Sequence, residues 1–100
     1  MEARFAEPSV LILASLSSGP KHGYALIKDI EEMAGARLGP GTLYGALTRL
    51  ERGGLVEALP AQDRRRPYRI TPAGAAAARA YLEHVQRVAV VGLKRLEAYS

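Results

Sequence analysis

Three consecutive arginines, Arg64-Arg65-Arg66, and an earlier set of hydroxyl and guanidinium residues, Thr42, Tyr44, Thr48 and Arg49, are the groups in this chain whose types and spacing suggest chemistry. That chemistry is hydrogen bonding and charge, not bond making. Guanidinium groups and hydroxyls are the donors that reach phosphate oxygens and base edges. Lys21, His22 and Tyr24 add an ammonium, an imidazole and a phenol just ahead of another apolar-periodic run. A charge run is usually a solvated loop, but three adjacent arginines in this company suit a phosphate backbone or a minor groove. Tyr24 and Tyr44 fall near expected helix starts, where a hydroxyl and free backbone N–H groups can share one phosphate. Half-buried core tyrosines would occupy the same places, and the residues alone leave both readings open.

Other chemistries lack their parts. With no cysteine, disulfides, thiolate nucleophiles and Cys-ligated zinc are excluded. His22 and His84 are far apart and no carboxylates cluster near them, so no metal site is expected. Glu31, Glu32 and Glu51 have no neighbouring base, and Gly39-Pro40-Gly41 is not followed by the Lys-Ser/Thr of a phosphate loop. An enzyme is therefore the least expected class, and no cofactor is implied. The formal charge of +4 is local: residues 61–70 hold Arg64, Arg65, Arg66 and Arg69 against Asp63, whereas residues 28–32 mix Lys28 with Asp29, Glu31 and Glu32. A local positive field favours a polyanionic partner. The longest wholly apolar run, Val10 to Ala14, is far short of a membrane span, and the N-terminus carries no signal-peptide pattern. A cytoplasmic protein without a membrane partner is expected.

The elements that must position these groups follow from periodicity and stop signals. One hundred residues suit one domain, and an apolar fraction of 48% without Trp predicts a core of Leu, Ile, Val and Ala. Pro8 opens a helix over 8–17 that is apolar nearly all round, and Ser17-Ser18-Gly19-Pro20 ends it. Leu26, Ile27, Ile30 and Met33 give an amphipathic helix over 22–34, stopped at Gly35. Arg37-Leu38 is an extended link expected to form a one-pair strand. A helix over 40–53 starts at Gly39-Pro40, with Leu43, Ala46, Leu47 and Leu50 on one side and the hydroxyl and arginine set on or beside the other. Gly45 lies on that outer side, where Gly costs roughly 1 kcal/mol against Ala; a small residue there lets another backbone come close, and the plainer reading is a tolerated defect. A hairpin over 55–71 is expected to have a loose, basic tip from Pro60 to Arg66. Thr71 and Pro72 then start a helix over 72–100 of about 40 Å. Its Ala75, Ala78, Leu82, Val85, Ala89, Gly92, Leu96 and Tyr99 make a heptad-like seam, with Tyr81, Val88 and Val91 beside it. The small body cannot cover such a face, and a second copy of the chain is the simplest completion.

The fold class is thus mainly α with a small β-hairpin. Helix, strand, basic loop and strand in this order make a winged helix-turn-helix at 1–71, followed by a long C-terminal dimerisation helix at 72–100. Leu11 to Leu16, Gly19 to Leu26, Gly39 to Glu51, Gly54-Leu55-Val56 and Tyr68 to Gly74 together resemble the PadR-type transcriptional regulators. The resemblance spans residues 10–74, and the pairing of His-Gly-Tyr with Pro-Gly-Thr-Leu-Tyr is specific. It implies a dimeric repressor on a palindromic operator, with helix 40–53 in the major groove and the hairpin on the backbone or minor groove. It places Tyr24, Thr42 and Tyr44 among DNA contacts, and it implies the short subgroup in which the first and last helices build the dimer. Gly39 and Gly45 depart from the family's usual Ser and Pro, which loosens the start of the recognition helix. The expected double-stranded DNA interface is Lys21, His22, Tyr24, Thr42, Tyr44, Thr48, Arg49, Arg64, Arg65 and Arg66. The arginine loop, Lys21, Tyr24 and Tyr44 serve phosphates, and Thr42, Thr48 and Arg49 serve base edges. The expected dimer contacts are Leu11, Leu82, Val85, Ala89 and Leu96, with a small-molecule effector at their interface suggested by family members. The competing reading is a helical protein-interaction module whose basic loop gives only non-specific nucleic-acid affinity.

Overall fold

The computed structural model describes residues 7–99; residues 1–6 and 100, and the expectations that touch them, lie outside the described residues. The chain runs α1 (Pro8–Leu16), α2 (Gly23–Ala34), α3 (Pro40–Arg52), β1 (Val56–Ala58), β2 (Tyr68–Ile70) and α4 (Pro72–Tyr99). Strong punctuation sets the helix ends. Pro begins α1, α3 and α4, where a missing N–H costs nothing. Gly35 closes α2 in the left-handed region at φ 68°, which a side chain would resist.

The core is a cluster of aliphatic side chains between α1, α2 and α3. Ile12, Leu26, Ile30 and Leu43 are fully enclosed, and Leu16, Leu47 and Val56 nearly so. Its one buried polar side chain among the described residues, Ser15, donates its hydroxyl to Asp29 Oδ2 at 2.6 Å and ties α1 to α2. This satisfies a hydroxyl that would be costly to bury alone.

The hairpin is antiparallel, with Val56 opposite Ile70, Glu57 opposite Arg69 and Ala58 opposite Tyr68. Glu57 and Arg69 also pair across it at 2.9 Å. Two features differ from the sequence expectation. The one-pair strand is Lys21 against Tyr68, through Lys21 N to Tyr68 O at 3.1 Å and Tyr68 N to Lys21 O at 3.0 Å, and not Arg37-Leu38. The α1–α2 loop runs along the free edge of β2 and supplies the partner, while Arg37 turns to Glu31 at 3.1 Å. The tip is also tight, not loose. Gln62 and Arg65 exchange both backbone bonds, at 2.7 and 2.8 Å, around Asp63 at φ 49° and Arg64 at φ 67°. Two consecutive left-handed residues match the hand of turn that suits strand twist.

Helix α4 is fastened to the body at its start. Thr71 Oγ1 donates to Gly54 O at 2.7 Å and accepts from Gly74 N at 3.0 Å. Gly74 packs so closely on the Leu55 carbonyl that any side chain would collide with it. Gly74 and Ala78 are the buried residues of this helix, and from Arg79 onward the described helix projects. The molecule is accordingly elongated, 54 × 25 × 20 Å.

Candidate nucleic-acid interface

The inner face of α3 buries Leu43, Ala46, Leu47 and Leu50, which leaves Thr42, Tyr44, Thr48 and Arg49 exposed on the outer side. The α3 start has no side-chain cap, since Gly39 stands there, so its first N–H groups remain open to an outside acceptor. The Thr48 hydroxyl donates to Tyr44 O at 2.9 Å. Its oxygen therefore faces outward chiefly as an acceptor.

Two other elements converge on this helix. His22, Gly23 and Tyr24 at the start of α2, Tyr44 on α3, and Arg64, Arg65 and Arg66 on the hairpin line a recess of about 180 Å³. Gly23 is needed for this convergence, because a Cβ there would strike the Tyr44 hydroxyl. Tyr24 is 66% exposed and Tyr44 48%, so both phenols are available at its rim. His22 caps α2: its Nδ1 accepts from Ala25 N at 3.4 Å, while Nε2 stands 3.4 Å from Arg65 Nη1. With Nδ1 accepting, a neutral ring carries its proton on Nε2. Nε2–H and the Arg65 guanidinium are then two donors facing one space, an arrangement suited to an anionic oxygen.

The remaining expected contacts divide. Arg66 Nη1 donates to Leu59 O at 2.9 Å, which steadies the hairpin stem. Arg64 is exposed at the turn itself. Lys21 is turned inward: its ammonium donates to the Ser15 carbonyl and to Ser18 Oγ at 2.8 Å, away from the recess. On β2, burial raises the Tyr68 pKa, and Glu51 and Tyr44 raise it further, against the opposing Arg66. The sequence pattern does not disclose His22 as a cap or Gly23 as a spacer; His is not among the usual cap residues, and Gly23 acquires its role only when Tyr44 packs on it.

Of the expected dimer residues, Leu11 is half-buried against the core. Leu82, Val85, Ala89 and Leu96 lie along the projecting helix, with Leu82 at 42% and Leu96 at 61% exposure. A groove of about 470 Å³ opens where α4 leaves the body, lined by Ala14, Ile70, Ala75, Ala78 and Leu82 with Ser17, Arg79, Glu83 and Gln86. Among the described residues no group of three His, Cys, Asp or Glu is arranged to hold a metal ion, and no helix is long and apolar enough to cross a membrane.

Residues 12–80 match the model of the Transcriptional regulator PadR-like family. The chain belongs to this family. Its members are regulators of transcription rather than enzymes. The PadR-like chain is 51% identical over 71 residues to an uncharacterized 37.1 kDa protein in transposon TN4556 of Streptomyces fradiae, covering 71% of this chain and 21% of that protein. It is 31% identical to the transcriptional activator GvpE2 of Halobacterium salinarum, covering 96% of this chain and 49% of that protein. It thus spans half or less of these curated relatives. A solved transcriptional regulator from Clostridium thermocellum superposes with a TM-score of 0.80 at 28% identity, over 94% of this chain and 97% of that one. RosR of H. salinarum does so with a TM-score of 0.70 at 26% identity, over 92% and 94%. The winged-helix architecture is common to all of these structures.

Proposed function

We propose that this PadR-like chain is a sequence-specific DNA-binding transcriptional regulator that acts in the cytoplasm as a homodimeric repressor. The observation that carries the reading is the convergence of the exposed α3 face, the His22–Tyr24 corner and the arginine hairpin on one side of the molecule. Residues 1–71 form the DNA-binding unit, and 72–100 the dimerisation helix. Helix α3 enters the major groove, where Thr42, Thr48 and Arg49 meet base edges. The recess lined by His22, Tyr24, Tyr44 and Arg65 takes a backbone phosphate, and Arg64 reaches the backbone or minor groove beyond it. Lys21 serves this interface by holding the α1–α2 loop, and with it His22, in place.

The exposed α4 seam, with Leu11 of α1 beside the body, supports a two-fold dimer. Such a dimer reads an inverted repeat with half-sites about one helical turn apart. Repression follows from occupying an operator. A small apolar effector in the groove between α1, β2 and α4 would change the angle of α4 and so the spacing of the two recognition helices. The groove's lining of Ala78, Leu82 and Ile70 supports an apolar ligand.

The test is selection of bound duplexes from random DNA at low and moderate salt. An enriched inverted repeat, bound more tightly than random DNA at both salts, is the expected result. Binding without a motif that vanishes as salt rises would overturn the reading in favour of a helical interaction module with incidental basic charge.

A further inference from the structure

Gly45 stands in the middle of α3 on its outer side, a place where glycine is the poorest helix former short of proline. Nothing among the described residues asks for it. A Cβ at this position would meet only Arg49 Nη1 at 3.7 Å, an ordinary contact with a movable group. Gly74 is different: there a Cβ would run into the Leu55 backbone carbonyl, so the packing itself requires glycine, while at Gly23 a Cβ would displace the Tyr44 phenol from its place. Alanine at 45 would fit and would hold the helix better. The bare backbone is therefore explained by something that approaches from outside the chain, as glycine allows.

We infer that Gly45 is a specificity-determining position, at which the edge of one thymine-bearing base pair comes against the backbone of α3. This rests on the DNA-recognition reading above. One turn further along the helix, Thr48 and Arg49 flank the position. The Thr48 oxygen, with its proton given to Tyr44 O, accepts from a base amino group, and the Arg49 guanidinium donates to guanine acceptors. The Cα of Gly45 between them offers an apolar surface with no projecting group. The thymine methyl is the major-groove feature that fits such a surface. A Cβ at 45 would hold the base pair away and lengthen the contacts of both neighbours.

The experiment compares the wild-type chain with Gly45→Ala in site selection from random DNA, in binding to the selected duplex and to a random duplex, and in thermal unfolding. The variant is expected to melt higher, by roughly 4–8 °C for a domain of this size. It should bind random duplex as the wild type does, bind the selected duplex at least tenfold more weakly, and lose the preference for thymine at one position of each half-site. Replacing that thymine by deoxyuridine, which removes only the methyl, should weaken the wild type and leave the variant unchanged. Equal binding of the selected duplex by both proteins would overturn the inference, as would a lower melting temperature, since the fold would then be what requires the glycine. If the wild type enriches no motif, the DNA-recognition reading itself fails and takes this inference with it; an enriched motif bound equally by both proteins defeats only the role of Gly45.

Discussion

The three-helix body and the outer part of α4 use the same kinds of residue in opposite surroundings. In the body, Ile12, Leu26, Ile30 and Leu43 are 0% exposed, whereas on α4 Val88 is 57%, Val90 62%, Leu93 63% and Leu96 61% exposed. The body closes its core within one chain, with Ser15 and Asp29 satisfying each other across two helices. Among the described residues, helix α4 buries none beyond Ala78, although Leu82, Val85, Ala89 and Leu96 recur at spacings of three, four and seven that keep them on one side. The difference teaches that the body encloses its aliphatic side chains by its own packing, while α4 leaves its own in water, the surface that the proposed dimer would cover. Mutations in the two regions should therefore differ in kind as well as in size.

The largest effect is expected in the body. Leu43→Ala removes a fully enclosed side chain between α3 and its neighbours and should cost about 2–5 kcal/mol, read as a lowered urea midpoint with little change in slope. The loss should be the same at every protein concentration. A concentration-dependent loss would mean that the body is not complete in one chain, and the comparison would break at its stronger end.

Next comes the seam. Val85→Glu together with Leu96→Glu changes two exposed side chains and leaves the described core untouched. The double variant should keep its helical circular dichroism and lose the dimer in sedimentation. Affinity for an inverted repeat should fall at least a hundredfold, while affinity for a single half-site should hold. A dimer that survives these charges would place the interface elsewhere and remove the explanation for the exposed aliphatics.

A third pair of variants divides the proposed DNA interface in the same way, into a reader and a holder. Arg49→Ala should relax preference at one base pair by about 1–3 kcal/mol while leaving random DNA affinity little changed. Replacing Arg64, Arg65 and Arg66 by Ala should weaken all sequences alike. It should also lower the salt slope by about 0.9 for each phosphate that the wing no longer neutralises. Fluorescence anisotropy across a salt series measures both. Equal losses on selected and random duplexes for both proteins would erase the division.

How far the sequence foretold this depends on the range of the interaction. The inner faces of α2 and α3 were legible because Leu26 and Ile30, or Leu43, Leu47 and Leu50, repeat within a few residues and helical geometry does the rest. The long helix α4 itself was legible for the same reason. The Lys21–Tyr68 bridge was not, because it depends on where β2's free edge lies once the body has folded. The inward turn of Lys21 was hidden likewise: a lysine beside His22 looks like an outward donor until the Ser15 carbonyl is placed beneath it. For the candidate interface, the residue types of Tyr24, Tyr44 and Arg64 to Arg66 were plain, but their convergence needed the close approach of Tyr44 to Gly23.

The smallest expected effect concerns the hairpin tip, and it turns the comparison inward on the wing. Asp63 and Arg64 both hold left-handed backbone, φ 49° and 67°, in a turn that Asn-Gly fills at lower cost. A non-glycine residue in this region costs roughly 1–2 kcal/mol. Asp63→Asn with Arg64→Gly should therefore tighten the hairpin by about 1 kcal/mol, visible as slower amide exchange at Gln62 and Arg65, whose N–H groups close the turn. The same change removes the arginine at the turn itself, to which the proposed function gives a phosphate contact, so DNA affinity should fall severalfold as the wing becomes more stable. Opposite signs for stability and binding are what a wing shaped for a phosphate partner predicts. If both rise together, the tip is a structural turn and the positive charge that matters lies with Arg65 and Arg66 nearer the body.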